Sequence, residues 1–431
     1  MRKINIGLIG YGTVGAGLVQ FFKKKRRYIK EKYAAEFVFT IICDLDIRKK
    51  DTKHLTKATI LTTKIDDVLD NKQVDVIVEL IGGLTAAKDL VERALKQGTH
   101  VVTANKALIA HSGKNLFALA QKNNCRLLYE SSVLAGVPII KTITEGIAGN
   151  TFNGIYGIVN GTCNYILTQM SKNNCSFADA LKSAQELGFA ETDPTLDING
   201  MDTSNKLAIL VYLAFGKFIH VKDVYTEGIT DISAIDIEHA ESLGLTIKLL
   251  AIAKKKDGNI EARVHPTLIS KDHPLASTNG IYNAVFLDSN PLGHVLLSGE
   301  GAGALAAASG VVSDLINLAS SDHQAGKLAN YYGEDKSLCM SKIDQVETKF
   351  YIRFQAIDQP GVLSKIAGIL GRHNIGINSV TQKKHNDATF VPLIMLTDFT
   401  SEKNIRTALK EINKLSIVKN KPVAIRMENL S

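Results

Sequence analysis

A chain of 431 residues is longer than one hydrophobic core usually serves, so two or three domains are expected. With 45% hydrophobic and 22% charged residues and net charge +8, the composition excludes a disordered chain and permits sizeable cores. Irregularly spaced cysteines, a strand-like N-terminus in place of a signal-peptide core, and no apolar run near the roughly 18 residues of a membrane helix point to a cytoplasmic protein without membrane contact.

The opening stretch, INIGLIGYGTVGAGLVQFF, reads as strand, glycine turn and helix, with Val14, Leu18, Val19 and Phe22 facing inward. The spacing Gly10-x-Gly12-x-x-Gly15 is the dinucleotide fingerprint. Gly10 allows the tight turn, Gly12 lets a pyrophosphate approach the backbone, and Gly15 lets helix press on strand. Thr13 and Val14 complete the turn, where free N–H groups of the helix N-terminus favour phosphate. The basic run FKKKRRYIKEK (22–32) falls where this helix should end, and cations there suit the helix dipole while facing water. With no RNP, helix-turn-helix or zinc-finger pattern, a nucleic-acid partner is not expected.

Strands follow at 37–44, 74–82, 100–106 and 126–133, with amphipathic helices between the last three, which predicts a parallel doubly wound sheet. Ligands of such sheets sit at the carboxyl ends of the strands, so Gly82, Ala104, Asn105 and Lys106 are placed at the crevice by topology. Asp44 closes the second strand. An acid there grips the ribose hydroxyls of NAD, so Asp44 favours NAD, while the following DIRKK keeps NADP open.

After Pro138 the pattern suggests a helix and then a strand ending at Asn160-Gly161-Thr162. The next segment, GFAETDPTLDINGMDTSNK (188–206), gathers Glu191, Asp193, Asp197 and Asp202 and ends on Lys206, at the head of the apolar run LAILVYLAF. Asp202 and Lys206 share one helix face, and an exposed pair of that kind contributes only about 0.3 to 0.5 kcal/mol. A helix apolar all round is usually buried, however, so the Lys206 ammonium starts partly dry. Burial and the helix dipole push its pKa down while the acids push it up, which suits a group that exchanges protons. The acids in turn need a cation, and a substrate ammonium would supply it. Asp193, before Pro194, is expected to shape the turn.

The pattern Ala184-x-x-x-Gly188-Phe189-Ala190-Glu191-x-Asp193-Pro194-x-x-Asp197-Ile198-x-Gly200-x-Asp202-x-x-x-Lys206 resembles the signature of homoserine dehydrogenases. The likeness extends over the glycine turn, VVTANKALIA, GIVNGTCNYILTQM and GEGAGALAAASGVVSDL. It implies NAD(P)-dependent interconversion of homoserine and aspartate semialdehyde, in threonine and methionine biosynthesis. Lys206 would be the general acid/base, Asp202 its orienting partner and Lys106 the second active-site lysine, near the nicotinamide. Glu191 and Asp197 would receive the substrate ammonium, and Gly161 and Thr162 would lie close to the substrate. Gly301 and Gly303 would approach the cofactor. Main-chain carbonyls of Glu130, Val133, Ala135 and Val137 would hold sodium. Two departures stand out: Cys43 where many relatives carry arginine, which speaks against NADP, and Cys163 in place of threonine or serine. A thiol beside a substrate pocket suggests acylating aldehyde chemistry, but that needs a nearby base, and no histidine occurs between His111 and His220. Cys163 is therefore read as packing.

The tail reads as βαββαβ, a ferredoxin-like unit. Its turn Asp358-x-Pro360-Gly361-Val362-Leu363 with Ile366-Ala367 resembles ACT domains, which implies binding of an amino-acid effector, threonine by analogy. The expected architecture is thus α/β: a Rossmann-type doubly wound nucleotide domain (1–134, completed by about 302–320), an α+β catalytic and dimerisation domain (135–301), a connector (321–346) and the ACT domain (347–431). A homodimer or homotetramer is expected. Two alternatives fit the same fold: a catalytically silent nucleotide- and amino-acid-binding regulator, which would have little reason to keep Lys106 and Lys206, and a dehydrogenase acting on aspartate, whose second carboxylate the acidic loop would repel.

Overall fold

The structure, a computed structural model, describes residues 2–320, 334–382 and 389–430. The first half of the expected connector, residues 321–333, lies outside the described residues. The chain divides into two compact units, each assembled from three stretches. The first comprises Met1–Ile155, Asn205–Asp223 and Ile281–Lys336; the second comprises Tyr156–Ser204, Val224–Gly280 and Ser337–Ser431.

The first unit contains six parallel strands: β1 (Arg2–Ile9), β2 (Ala35–Cys43), β3 (Ile60–Thr62), β4 (Val76–Glu79), β5 (His100–Thr103) and β6 (Leu127–Leu128). Their order, β3-β2-β1-β4-β5-β6, is that of the doubly wound dinucleotide fold. β1 owes its central place to its apolar side chains: Ile4, Ile6 and Leu8 are buried against Leu18, Val19 and Phe22 of helix Thr13–Tyr33 and Val311 and Leu315 of helix Ala304–Ser320. Val14 is only half-buried, because small Gly15 and Gly17 take the closest approaches. A Cβ on Gly17 would lie 3.1 Å from the Ala304 carbonyl oxygen, so the two helices meet almost backbone to backbone. The basic residues from Lys23 to Arg27 are exposed, and Arg27 pairs with Glu31 at 2.7 Å, as a solvated helix end requires.

Two features of this sheet depart from the sequence reading. β3 is an unanticipated edge strand, too short to show an alternation. β6 is only two residues long, because the chain turns at once into helix Ser131–Leu134. A hairpin of Tyr282–Asn290 and Gly293–Glu300 completes the unit.

The second unit is built on an antiparallel hairpin, Leu245–Lys256 with Asn259–Ser270, turned at Asp257 (φ 50°) and Gly258 (φ 74°). Asp-Gly with both residues left-handed matches the twist of a two-residue hairpin. Strand Asn259–Ser270 pairs through Thr267 and Leu268 with strand Val418–Met427. From there the sheet continues through Glu347–Ile357, Phe390–Thr397 and Ile377–Gln382, all antiparallel. Helices Val362–Arg372 and Glu402–Ile412 cover this tail with Ile366, Leu370, Ile405 and Ile412 packed on Phe350, Ile352 and Met395. The βαββαβ order is as expected; its continuity with the hairpin is not something the tail sequence alone discloses.

Candidate active site

The glycine turn is shaped by what its missing side chains permit. Gly10 has φ 100°, and a Cβ there would lie 2.7 Å from the Leu80 backbone. A Cβ on Gly15 would lie 2.2 Å from the Gly10 carbonyl oxygen. Gly12 faces open space, with nothing within 4 Å of the same construction. It stands at the N-cap of helix Thr13–Tyr33, where Gly12 and Thr13 are exposed and no side chain caps the helix. Two glycines close the turn and the third leaves backbone N–H groups bare, a surface suited to a pyrophosphate.

Asp44 lies beside this turn and organises it: Oδ2 accepts the Tyr11 N–H at 2.8 Å and Oδ1 the Asp46 N–H at 2.9 Å. Cys43 is buried, its thiol pushed up to about 11 by burial and the neighbouring Asp44 charge.

At the ends of β4 and β5 a buried acid, Glu79, holds the loops. Its Oε1 accepts the N–H groups of Ile81 and Gly82, and Oε2 accepts the Thr103 hydroxyl at 2.5 Å. Burial raises this carboxyl, and the hydrogen bonds oppose that rise. Thr103 Oγ1 accepts the Asn105 N–H at 2.9 Å, and Asn105 donates to the Gly83 carbonyl while capping helix Lys106–Lys122 through Leu108 N–H. Lys106, half-buried, is thereby set at the first position of a rigid helix. Glu79 was absent from the sequence reading, although an acid closing the apolar run VDVIVE was a usable signal.

Glu130, Val133, Ala135 and Val137 form a tight, buried turn in which Ala135 has φ 50°. The Glu130 carboxylate accepts the N–H groups of Ile140 and Lys141 at 2.8 and 2.9 Å, and its own N–H donates to Asp314 at 2.8 Å. Burial, then the Asp314 charge, pushes the Glu130 carboxyl up to about 7. The Ala135 carbonyl is approached by Gly310, where a Cβ would lie 2.4 Å away, and the Val137 carbonyl accepts the Ile139 N–H at 2.8 Å. Gly301 follows strand Gly293–Glu300 and leaves room for the Asn283 side chain, since a Cβ would lie 1.9 Å from its Nδ2. Gly303, φ 116°, lies open just before helix Ala304–Ser320.

In the second unit, Asn160 ends the approach from strand Thr151–Ile158 and caps helix Gly161–Asn173 through the Cys163 N–H at 2.8 Å. Its Nδ2 donates to Oδ1 of Asp197 at 2.7 Å and to Oδ2 of Asp202 at 2.9 Å. One buried amide thus gathers two of the four acids. Thr162 donates to the Phe189 carbonyl at 2.7 Å, and Cys163, wholly buried, donates to the Asp197 carbonyl at 3.2 Å, a packing role. Gly161 opens the helix. Glu191 is exposed, with the loop around it held by Gln185, whose amide reaches the carbonyls of Glu191 and Thr192. Asp193 shapes the turn, accepting from the Thr195 N–H and hydroxyl, which hold its carboxyl below the usual range.

Behind these residues, helix Gly161–Asn173 is anchored by Lys248, only 2% exposed. Its ammonium meets Asn164 Oδ1 at 3.3 Å, the Thr278 carbonyl at 2.7 Å and Asn279 Oδ1 at 3.1 Å. Burial, with Lys172 nearby, pushes it down to about 8.

Helix Met201–Phe215 carries Asp202 and Lys206 one turn apart, and the division of the chain into units falls inside it, after Ser204. Both groups are buried, at 6% and 7% exposure. The candidates therefore distribute as Gly10 to Gly15, Asp44, Lys106, Lys206, Gly301 and Gly303 in the first unit, and Gly161, Thr162, Glu191, Asp197 and Asp202 in the second.

A doubly wound sheet with this glycine turn defines a dinucleotide-binding fold, the class to which nicotinamide-dependent dehydrogenases belong. Family models agree and go further: "Homoserine dehydrogenase, NAD binding domain" matches residues 10–130, "Homoserine dehydrogenase" residues 138–316, and "ACT domain" residues 350–416. A homoserine dehydrogenase of Neisseria gonorrhoeae is 39% identical over 435 residues, with 100% of both chains covered, and one of Bacillus subtilis is 34% identical with 99% of both covered. Among solved structures, a homoserine dehydrogenase from Thiobacillus denitrificans superposes with TM-score 0.93 at 38% identity, covering 100% of this chain and 99% of the other. A hyperthermophilic archaeal homoserine dehydrogenase in complex with NADPH covers 73% of this chain and 97% of its own, with TM-score 0.63 at 28% identity. The chain belongs to the homoserine dehydrogenase family, oxidoreductases that use NAD(P), and carries an ACT domain that fits amino-acid regulation. Among the described residues no helix is long and apolar enough to cross a membrane.

Proposed function

We propose that homoserine binds with its ammonium at Glu191 and Asp197, near Gly161 and Thr162, and that Lys206 moves the proton at its hydroxyl oxygen, with Asp202 orienting the amine. The observation that carries this reading is the Asn160 amide, which draws Asp197 and Asp202 together within 2.9 Å of one nitrogen, on a loop that runs into the buried Lys206 helix. Two acids held by one neutral donor keep negative charge for an incoming cation. In the reverse direction the same lysine returns its proton to the carbonyl oxygen of the semialdehyde. Lys106, fixed by the Asn105 cap, orients the substrate beside the nicotinamide.

NAD(P), when bound, accepts or delivers the hydride. Gly10, Gly12, Thr13, Val14, Gly15, Gly301 and Gly303 would hold it, and the bare helix N-terminus at Gly12 fits its pyrophosphate. NADP is favoured over NAD: Asp44 already serves two backbone N–H groups, Arg48, Lys49 and Lys50 are exposed just after it, and the archaeal relative holds NADPH. The turn of Glu130, Val133, Ala135 and Val137 offers oxygen donors of the kind a hard cation such as sodium takes. The functional domains are read as 1–134 with 302–320, 135–301 and 347–431, acting as a homodimer or homotetramer in the cytoplasm, with an amino acid such as threonine as effector.

Cofactor reduction followed with homoserine, and separately with aspartate, tests the reading, run side by side with NAD and NADP. Turnover with homoserine and none with aspartate is expected; cofactor binding without homoserine turnover would overturn it. Exchange of sodium for a tetraalkylammonium salt should lower activity if the carbonyl turn is occupied.

A further inference from the structure

The basic run at 22–32, in helix Thr13–Tyr33, takes no part in the chemistry above, but it borders a cavity of about 400 Å³ in the first unit. Val19, Phe22 and Ile29 of the helix and Phe37 and Phe39 of β2 supply its apolar walls, with Leu55 from the loop before β3. The Phe22 ring lies 5.1 Å from that of Phe37 and 5.7 Å from that of Phe39, and these two strand residues are only half-buried.

Five consecutive residues of β2, Ala35 to Phe39, line this cavity, so the strand turns an edge toward it rather than a single face. The cause is the brevity of β3, which pairs only with Ile41, Ile42 and Cys43. Ala34 accepts the Arg2 N–H at 2.9 Å, and in the parallel ladder that follows Glu36 and Val38 turn toward β1. Ala35, Phe37 and Phe39 therefore aim their backbone N–H and C=O groups outward, and among the described residues nothing bonds them. Such a row is a template for one more strand.

The rim decides what that strand must be. Lys23, Arg26, Lys30 and Lys53 are all exposed around the groove, and Glu36, bonded to Arg26, is the one carboxylate in the lining. Asp51 stands just outside it, 3.8 Å from Lys53, and the Lys23 ammonium meets His54 Nδ1 at 3.4 Å. Two copies of this edge laid together would bring like charges into contact, which disfavours self-pairing. An acidic chain meets attraction instead. A fatty-acid-like amphiphile would satisfy the aromatic wall and the cations but leave the outward groups of Phe37 and Phe39 unanswered. An extended peptide bonds them and places alternate side chains in the groove. The site lies at the start of β2, whereas a dinucleotide on this fold sits at the carboxyl ends of the strands, so an occupant here leaves the cofactor in place.

We propose that the edge of β2 and its groove form a docking site for an extended segment of another protein, apolar at alternate positions and acidic between them. The inference is independent of the substrate reading, since no residue of that site enters it.

The test uses the full-length protein and, as probe, a blocked peptide of about seven residues alternating glutamate and valine. Calorimetry should give a Kd of about 100 μM or tighter that weakens as salt rises, and hydrogen exchange at the Phe37 and Phe39 amides should slow. Lysine in place of glutamate, or methyl groups on the peptide's ladder-facing nitrogens, should each weaken binding about tenfold or more. The double variant Lys23→Glu, Lys30→Glu should do the same and leave homoserine turnover within about twofold. The peptide arms need no altered protein, so a variant that fails to fold does not leave the matter open. No binding of the acidic peptide overturns the proposal, as does binding indifferent to backbone methylation or undiminished in the folded double variant. Dodecanoate bound where no peptide binds would make the groove a site for an amphiphile, and slower exchange at Phe37 and Phe39 on raising protein concentration alone would give the edge to a second copy. Either result overturns it too.

Discussion

Asn160 Nδ2 lies 2.9 Å from Asp202 Oδ2 and donates to it, while the same nitrogen serves Asp197 at 2.7 Å. A third carboxylate in this place would repel both acids at contact distance. Asn160→Asp is expected to lower kcat/KM for homoserine at least a hundredfold. Asn160→Ala should lose less turnover but also about 1 kcal/mol of stability, since the Cys163 N–H loses its cap. Steady-state kinetics with denaturant titration distinguishes the two effects, and an Asp variant with near-normal turnover would remove Asn160 from the site.

Lys206 stands in the second turn of helix Met201–Phe215 at 7% exposure. Its replacement by alanine removes general acid/base help worth about a hundredfold or more in kcat. NADPH binding, followed by fluorescence, should stay within a few-fold. A rate equal to the parent's would exclude the lysine from proton transfer.

Gly12 and Gly15 make opposite predictions although they are three residues apart. The open surroundings of Gly12 let alanine fold normally, and the loss should appear as a weaker cofactor Kd by tenfold or more. At Gly15 the same methyl would press on the Gly10 carbonyl at 2.2 Å, so Gly15→Ala should lower Tm and solubility before binding is considered. Thermal melts with cofactor titrations on both variants decide it; equal Tm losses would contradict the assignment of separate roles.

Lys248 gives a pH signature. Its folded pKa is pushed down to about 8 from the ordinary lysine value of 10.5, so between those pH values the unfolded chain binds more protons than the native one. Stability contributed by this group therefore rises with pH from about 8 to about 10.5, by up to about 3 kcal/mol, and is flat below 8. The difference in unfolding free energy between wild type and Lys248→Met should follow that curve. A difference independent of pH would mean that the three oxygens around Nζ hold the ammonium as firmly as water does.

Features that depend on fixed local spacing were readable from the amino-acid sequence. The glycine turn, the parallel strands, the tail's βαββαβ order and the acidic loop before Lys206 all follow from residues near one another in the chain. Asn160 was not, and Glu79 was marked only by its place at the end of the apolar run VDVIVE, because the importance of both comes from partners 37, 42 and 24 residues away. The hairpin at Asp257-Gly258 carried a usable turn signal, but its pairing with the tail rests on a few residues, Thr267 and Leu268 with Arg426 and Met427, that no local pattern marks. Asp44 shows the reverse: topology located it beside the glycine turn, and only coordinates disclose that its carboxylate braces the turn's own backbone.

The interleaving of the two units governs how the protein comes into being on the ribosome. The Arg2 side chain donates to the carbonyls of Leu318 and Ala319, and β1 is buried against the helix that ends at Ser320 as well as against helix Thr13–Tyr33, so part of its covering arrives only after more than three hundred further residues. During that interval part of its apolar face is exposed to aggregation, and no truncation that stops short of residue 320 should yield a nucleotide-binding half that stays in solution.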